Sequence, residues 1–531
     1  MGKTEQTTKI TVGVVGAGTM GSGIALAALT AGLTVTLYDI APEMLERGRG
    51  YIQKHLARKG KEAALEHLTL TTRLEDLAGA AVVIEAAPED LALKRDLFGQ
   101  LDTICPPPAI LATNTSTLSI TAIAAATHSP ERVGGMHFFN PAPLLPLVEV
   151  GRGAQTSDET IQALMALAGQ MGKTPVVTRD TPGFIVNRVA RPFYSEALRL
   201  LGEGVATHQQ MDWVIQLGGG FPMGPFQLLD LIGLDINLAA TQSVYEQTFH
   251  EPRYRPHWIQ QQKVQQNALG RKTGRGFYDY GPDAPAIEPP GPPPITVNSG
   301  TALISPGSWA PGLADLCQRA GYTLSRGEVT SPLPDPAPVA GLVVAARSEG
   351  LREQVRRFDQ ALPMHIPLLC QAADVTVGEI ATWLEHPERL AGFDGLFIAN
   401  GPIATLVPSP FLAEDLRAAA EAFFHSLGRY IVWIADSPAL ILPRVVCMLA
   451  NEAAFAVGEG IADGDTIDRA MTLGINYPKG PLAWAGEIGY GCVVAVLDHL
   501  RAEYGEERYR AAPLLRRWAR LDQISANSSI P

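Results

Sequence analysis

The sequence predicts a chain built twice: an N-terminal doubly wound α/β domain, an all-helical domain, then a degenerate copy of each. Three observations predict it. A strand, a glycine-rich turn and a helix open the chain within residues 10–30. From Gly183 onward, apolar residues recur at helical spacing without strand-like runs. The second half then returns residues of the first at a step of 256 or 257.

Taken in order, residues 10–15 read as a strand, 22–30 as a helix that Gly32 stops, and 34–39 as a second strand. A basic amphipathic helix follows over 42–61. Strand-like runs at 81–86, 110–113 and 133–138 alternate with helical segments, a pattern that assembles as a parallel sheet covered on both faces. Residues 183–269 read as helices, ending in the run Gly270-Arg271-Lys272-Thr273-Gly274-Arg275-Gly276-Phe277-Tyr278. In 282–294 seven of thirteen residues are proline, which keeps that stretch extended as a linker. The predicted domains are therefore 1–181 (dinucleotide-binding), 182–281 (helical), 282–294 (linker), 295–434 (degenerate α/β) and 435–531 (helical, repeating 179–270).

The repeat is read from single residues. A step of 256 takes Asp180, Pro182, Arg188, Glu196 and Asp212 to Asp436, Pro438, Arg444, Glu452 and Asp468. A step of 257 takes Pro130-Glu131-Arg132 and Gly135 to Pro387-Glu388-Arg389 and Gly392. The helical copies are expected to pack on each other, so that one chain forms a pseudo-dimer; a homo-oligomer is the alternative.

Composition narrows the partners. With 54 acidic against 42 basic residues the net charge is -12, so counterion release cannot drive binding to nucleic acid or anionic lipid. The five cysteines, Cys105, Cys317, Cys370, Cys447 and Cys492, lack disulfide-framework or zinc spacing, which predicts a reducing cytoplasm and no metal. No run reaches the roughly 20 apolar residues of a membrane span, and residues 1–6 carry no export signal.

Two motifs carry chemistry. Gly16-Ala17-Gly18-Thr19-Met20-Gly21 lies between a strand and a helix, and Asp39 ends the next strand. Gly16 suits the tight turn, Gly18 the approach of backbone N–H groups to a pyrophosphate, and Gly21 close helix–strand packing. A bare glycine triplet is usually an ordinary turn; this context makes it a Rossmann-type fingerprint. Asp39 would accept from ribose hydroxyls and repel a 2′-phosphate, so NAD is expected over NADP. The second half has Ser305-Pro306-Gly307-Ser308-Trp309-Ala310 here, which predicts no dinucleotide site.

The other motif is acid–base. His137 and Glu149 lie six residues either side of Pro143 in two strand-like runs, and a reversal at Pro141-Ala142-Pro143 would bring them together. An imidazole can take the proton of an alcohol undergoing oxidation, with a carboxylate fixing its tautomer. A lone strand histidine is otherwise a packed core residue.

Asn114-Thr115-Ser116, His137-Phe138-Phe139-Asn140-Pro141, Pro182-Gly183-Phe184-Ile185-Val186-Asn187-Arg188 and Lys272-Thr273-Gly274-Arg275-Gly276-Phe277-Tyr278 together resemble the L-3-hydroxyacyl-CoA dehydrogenase family over residues 10–280. The resemblance implies NAD-dependent, reversible oxidation of a 3-hydroxyacyl-CoA to the 3-oxoacyl-CoA, with His137 as base, Glu149 orienting it, and Ser116 and Asn187 hydrogen-bonding the reacting oxygens. It implies NAD contacts at Gly16, Gly18, Thr19, Met20, Gly21, Asp39, Glu89, Lys94, Ser116, Asn140 and Lys272. It places CoA contacts in a helical hairpin after Asp39, where Lys54, Arg58 and Lys59 stand; a solvated helix face is the plainer reading. Glu89 with Lys94 reads equally as a solvated pair, Lys272 as a surface charge and Asn187 as a helix cap. The chain resembles a two-copy bacterial form of the family, implying a place in fatty-acid or phenylacetate-type catabolism.

In the second copy Ala373 stands at Ser116, Asp394 at His137 and Pro443 at Asn187, and no partner for Glu149 is evident near Val407-Pro408. One working site per chain is expected. Two other readings remain: a 3-hydroxyacid dehydrogenase of similar architecture, whose lysine would stand where Gly183 is, and a non-catalytic NAD-binding structural or sensor protein.

Overall fold

In the first half, strands rich in β-branched residues alternate with helices, and the central strands are buried on both faces as a sheet covered by helices requires. The structure, a computed structural model, describes residues 10–327 apart from 286, 290, 292, 296 and 297, and residues 338–528. The first half runs β1 (Thr11–Val15), α1 (Thr19–Thr30), β2 (Thr34–Tyr38), α2 (Pro42–Arg58), β3 (Leu68–Thr71), β4 (Val82–Glu85), α3 (Leu91–Ile104), β5 (Ile110–Thr113), α4 (Ile120–Ala124), β6 (Val133–Gly135), β7 (His137–Phe138), β8 (Leu147–Arg152), α5 (Asp158–Gln170) and β9 (Thr174–Arg179). Six strands form a parallel sheet in the order β3-β2-β1-β4-β5-β6. The order reverses between β1 and β4, the switch point where doubly wound sheets bind ligands.

Three local expectations change. Helix α1 starts at Thr19, not at 22, because Gly21 lacks a Cβ: one there would stand 1.8 Å from the Gly16 carbonyl oxygen. The run 133–138 is not one strand. It crosses at Met136 from the parallel sheet into a three-stranded sheet, β7-β8-β9, and the crossing is close because a Cβ on Gly135 would lie 3.1 Å from Gly151 Cα of β8. The hairpin implied after Asp39 is absent: α2 ends at Arg58 and a 3-10 turn, Glu62–His67, leads into β3.

Next come α6 (Val186–Val189), α7 (Arg191–Gly202), α8 (His208–Trp213), a π-helical turn (Val214–Gly218), α9 (Pro225–Ile232), α10 (Leu234–Gln247) and α11 (Trp258–Gln265). The linker expected at 282–294 has no helix or strand among its described residues; residues 286, 290 and 292 lie outside them. The second α/β part has β10 (Thr301–Ile304), α12 (Leu313–Arg319), β11 (Thr323–Arg326), β12 (Pro338–Val343), α13 (Leu351–Ala361), β13 (Leu368–Gln371), α14 (Val377–Ala381), β14 (Leu390–Phe393), β15 (Ile403–Pro408), α15 (Glu414–Ser426) and β16 (Tyr430–Trp433). Helices α16 (Leu442–Gly458), α17 (Gly464–Ile475), α18 (Pro481–Ile488), α19 (Tyr490–Tyr504) and α20 (Pro513–Ser528) complete the chain.

Seven strands share the second sheet, in the order β11-β10-β12-β13-β14-β15-β16. Here β14 pairs parallel with β13 and antiparallel with β15, joining what the first half keeps as two sheets. The repeat extends to buried detail. Arg132 donates to the Cys105 and Ala109 carbonyls and to Asp102, and Arg389 donates to the Leu362 and Ile366 carbonyls with Asp359 nearby.

The chain forms two compact units, one of residues up to Val189 with Ala456–Asn476, the other of Ala190–Phe455 with residues from Tyr477 on. In the second unit, helices of the two copies pack through buried charge: Arg444 donates to Glu196 at 2.9 Å and to Glu203 at 2.9 Å, and Tyr254 donates to Glu452 at 2.5 Å.

Candidate active site

The loops after β1, β4 and β5 and the turn between β7 and β8 lie in the first unit, with every candidate site residue singled out above except Lys272. Gly16 has φ +100°, a conformation that glycine adopts without cost. No side chain caps α1 at Gly18, and a Cβ on Gly18 would meet nothing within 4 Å. An open, uncapped helix start of this kind fits a pyrophosphate. Thr19 is exposed and Met20 half-buried. Asp39 directly follows β2 and braces the loop, accepting from Ala17 N at 2.7 Å and Ala41 N at 3.0 Å. Each oxygen keeps a lone pair for a ribose hydroxyl.

The antiparallel pairing of β7 with β8 sets His137 opposite Glu149. Both are buried, at 4% and 0% exposure, and His137 Nδ1 lies 2.7 Å from Glu149 Oε2. The other carboxylate oxygen, Oε1, accepts from Ile185 N and Val186 N, each at 3.0 Å. Those N–H groups open α6, so a helix start and an imidazole share one carboxylate. With Nδ1–H donating to Glu149, Nε2 is left as an acceptor, 3.1 Å from Ser116 Oγ. Phe139 packs its ring 4.6 Å from the imidazole, and Phe184, at φ +48°, lies at 5.9 Å. Asn187 follows Val186 within α6, half-buried, and is not its cap.

A second network fixes Ser116. Glu85, at the end of β4, is fully buried and accepts from Lys94 Nζ at 2.5 Å, Ala87 N at 2.6 Å and Thr113 Oγ1 at 2.7 Å. Glu89 accepts from Thr115 Oγ1, Ser116 N and Thr117 N at 2.6, 2.9 and 3.0 Å. Burial alone would raise the Glu89 carboxyl, but Lys94 and these donors hold it below the usual range. Lys94 is 1% exposed, so the solvated-pair reading is corrected: its ammonium faces inward, toward Glu85, Glu89 at 3.5 Å and the Ala87 carbonyl. Asn114 Oδ1 accepts from Phe138 N at 2.8 Å and locks the Ser116 loop to β7. The sequence reading missed Glu85, Thr113 and Asn114 as parts of this lattice. Glu85 ends an apolar run, and a buried carboxylate there signals a buried cation close by.

Asn140 is exposed at the turn. Lys54 and Arg58 lie on the exposed face of α2, whose buried residues are Leu45, Gly48, Ile52 and Leu56, and Lys59, also exposed, follows its last residue. Lys272 belongs to the second unit, half-exposed and 2.6 Å from Asp235. In the second copy β14–β15 pairing brings Asp394 N onto the Thr405 carbonyl, so Thr405 stands where Glu149 stands, a counterpart hidden in the sequence by a one-residue slip of register. Among the described residues, no helix is long and apolar enough to cross a membrane, and no cluster of three metal-ligating side chains occurs.

Comparison with known proteins is consistent across the chain. A family model described as 3-hydroxyacyl-CoA dehydrogenase, NAD binding domain, matches residues 11–181. A second, described as 3-hydroxyacyl-CoA dehydrogenase, C-terminal domain, matches residues 183–280 and again 440–529. The 3-hydroxyadipyl-CoA dehydrogenase of Escherichia coli (strain K12) is 38% identical over 525 residues, 96% of this chain and 98% of that protein. A probable 3-hydroxybutyryl-CoA dehydrogenase of Bacillus subtilis (strain 168) is 47% identical over 276 residues, 50% of this chain and 96% of its own. The crystal structure of a 3-hydroxybutyryl-CoA dehydrogenase from Escherichia coli K12 superposes with TM-score 0.81 at 36% identity, covering 97% of this chain and 99% of the other.

Proposed function

Since the chain belongs to the 3-hydroxyacyl-CoA dehydrogenase family, we propose that His137 is the acid–base residue of an NAD-dependent oxidation of 3-hydroxyacyl-CoA, with Glu149, Ser116 and Asn187 completing its site. The observation that carries this is the line Glu149–His137–Ser116, with 2.7 Å at Nδ1 and 3.1 Å at Nε2. NAD, held by the Gly16–Gly21 loop and Asp39, supplies the hydride acceptor. His137 Nε2 takes the proton of the 3-hydroxyl, and Glu149 stabilises the resulting imidazolium, as a buried carboxylate does in hydrolase triads. Ser116 Oγ, already within reach of Nε2, shares the reacting hydroxyl and holds it in line. Asn187, beside the α6 start, donates to the thioester carbonyl. Reduction of a 3-oxoacyl-CoA runs the same proton path backwards.

His137→Gln tests the base. It is expected to lower kcat about 10³-fold, within the range of a positioned general base, while the NAD Kd stays within about twofold, since the fingerprint is untouched. Activity within tenfold of the parent would remove His137 from the mechanism.

The full-length relative that acts on 3-hydroxyadipyl-CoA supports a dicarboxylic acyl group and a place in aromatic, phenylacetate-type catabolism for this chain. Initial rates over a panel of 3-hydroxyacyl-CoA thioesters are expected to give the highest kcat/KM for the six-carbon dicarboxylic member; a preference for monocarboxylic chains would redirect the assignment to fatty-acid oxidation. Exposed Lys54, Arg58 and Lys59 suit the CoA phosphates. Five cysteines, all free thiols, support a cytoplasmic location, and the Arg444–Glu196 and Tyr254–Glu452 contacts support a pseudo-dimer within one chain.

A further inference from the structure

The second copy has lost its own chemistry but keeps contact with that of the first. In the unit that carries His137, α17 of the second copy packs on β8 and α6, the two elements that hold Glu149. Gly474 on α17 sits so close that a Cβ there would lie 2.7 Å from Leu147 Cδ2, 3.2 Å from Val186 Cγ2 and 3.7 Å from Phe139 Cε1. Each neighbour bears on the acid–base pair. Leu147 is two residues from Glu149 and so shares its face of β8. Val186 gives one of the two N–H groups on Glu149, and Phe139 packs on the imidazole. Beside them Arg188, next to Asn187, pairs with Glu459 at 2.8 Å, and Arg179 N donates to the Ile461 carbonyl.

The contact has a counterpart at the same three positions. A step of 256 takes Leu147, Val186 and Gly218 to Ile403, Leu442 and Gly474, and in the other unit a Cβ on Gly218 would lie 3.0 Å from Leu442 Cδ2 and 3.3 Å from Ile403 Cγ2. Each copy thus lends a helix to the back of the other copy's strand. In the second copy the strand is β15, which carries Thr405 opposite Asp394, and no acid–base pair is left to support; in the first copy it is β8, which carries Glu149.

We propose that Gly474 and Glu459 of the second copy are positioning residues for the His137–Glu149 pair, and that this is what the second copy contributes to catalysis. The proposal rests on the acid–base reading above. Because misplacing a reacting group by about 1 Å can cost about 10²-fold, a modest push on β8 has a measurable effect without unfolding the chain.

The experiment compares full-length Gly474→Ala, Glu459→Gln and the double variant Gly474→Ala/Leu147→Val with the parent, using kcat per NAD-binding site, KM, NAD Kd and Tm. The expected result for each single variant is a fall in kcat of about tenfold, with NAD Kd and Tm held and a larger primary deuterium isotope effect on hydride transfer. Leu147→Val makes room for the new methyl and is expected to restore most of kcat. Glu459 is half-exposed but Arg188 is buried, so Glu459→Gln, which keeps an oxygen to accept from Arg188, is read for kcat beside Tm. If both single variants keep the parent kcat per site, or lose Tm with kcat per site unchanged, the positioning role is overturned. His137→Gln in parallel separates the two readings: an inactive His137→Gln beside fully active Gly474 and Glu459 variants removes only this proposal, whereas an active His137→Gln removes the acid–base reading itself.

Discussion

Asp394 occupies the position of His137 in the second copy and shows what the lost chemistry left behind. Its side chain is 4% exposed, and burial pushes the carboxyl up to about 7, with the Phe397 and Leu396 N–H groups offsetting only part of that. An unfolded aspartate ionises near 3.9. The folded chain therefore keeps a proton that the unfolded chain releases between about pH 4 and about 7, so the associated stability is complete below that window and is lost as pH rises through it. Asp394→Asn removes the titration while keeping an acceptor for Phe397 N. Its Tm is expected to gain on the parent's as pH rises from 5 to 8; parallel curves over that range would show that Asp394 does not carry the dependence. At this scale the sequence was legible where a pattern is local. The placement of His137 and Glu149 around Pro143 anticipated a pair that the structure brings to 2.7 Å. It was illegible where partners are far apart in sequence: Glu85 with Thr113 is 28 residues apart, and the inward turn of Lys94 depends on a carboxylate at the end of an apolar strand.

Among elements, the glycine-rich turn with α1 is tightly constrained and so readable. A Cβ on Gly21 would stand 1.8 Å from the Gly16 carbonyl oxygen, which nothing short of moving the helix start can relieve. Gly21→Ala is therefore expected to weaken NAD binding at least about 100-fold, the scale of a lost helix-terminus phosphate site, in a fluorescence titration; His137→Gln leaves the same titration unchanged. A Gly21→Ala protein that binds NAD as the parent does would show that α1 does not hold the pyrophosphate. Other elements escaped the sequence for physical reasons. Strand β3 is four residues long at the sheet edge, with only Thr71 fully buried, so it lacks the apolar run that marked β4 and β5. The run 133–138 has one strand's worth of apolar residues, yet two sheets divide it, because the approach of Gly135 to Gly151 is a tertiary fact that no strand periodicity encodes.

The duplicated molecule has two α/β parts that differ at the loop after the first strand. In the first part α1 begins directly after Gly18; in the second α12 begins at Leu313, several residues beyond Gly307, so no helix start faces the loop. The loop itself is filled. Trp309 is 3% exposed with its backbone N–H on the Val344 carbonyl, and a Cβ on Gly395 would lie 2.3 Å from the Trp309 carbonyl oxygen. A pyrophosphate at this loop would meet Pro306, which has no N–H to offer, and an α-helix that starts only at Leu313. Calorimetric titration of the full chain is thus expected to give one NAD per chain. Asp39→Ala, which removes the ribose acceptor and the brace on Ala17 N, is expected to weaken that single event at least tenfold and to expose no second one. Two binding events in the parent, or a residual event of unchanged affinity in Asp39→Ala, would return dinucleotide binding to the second copy.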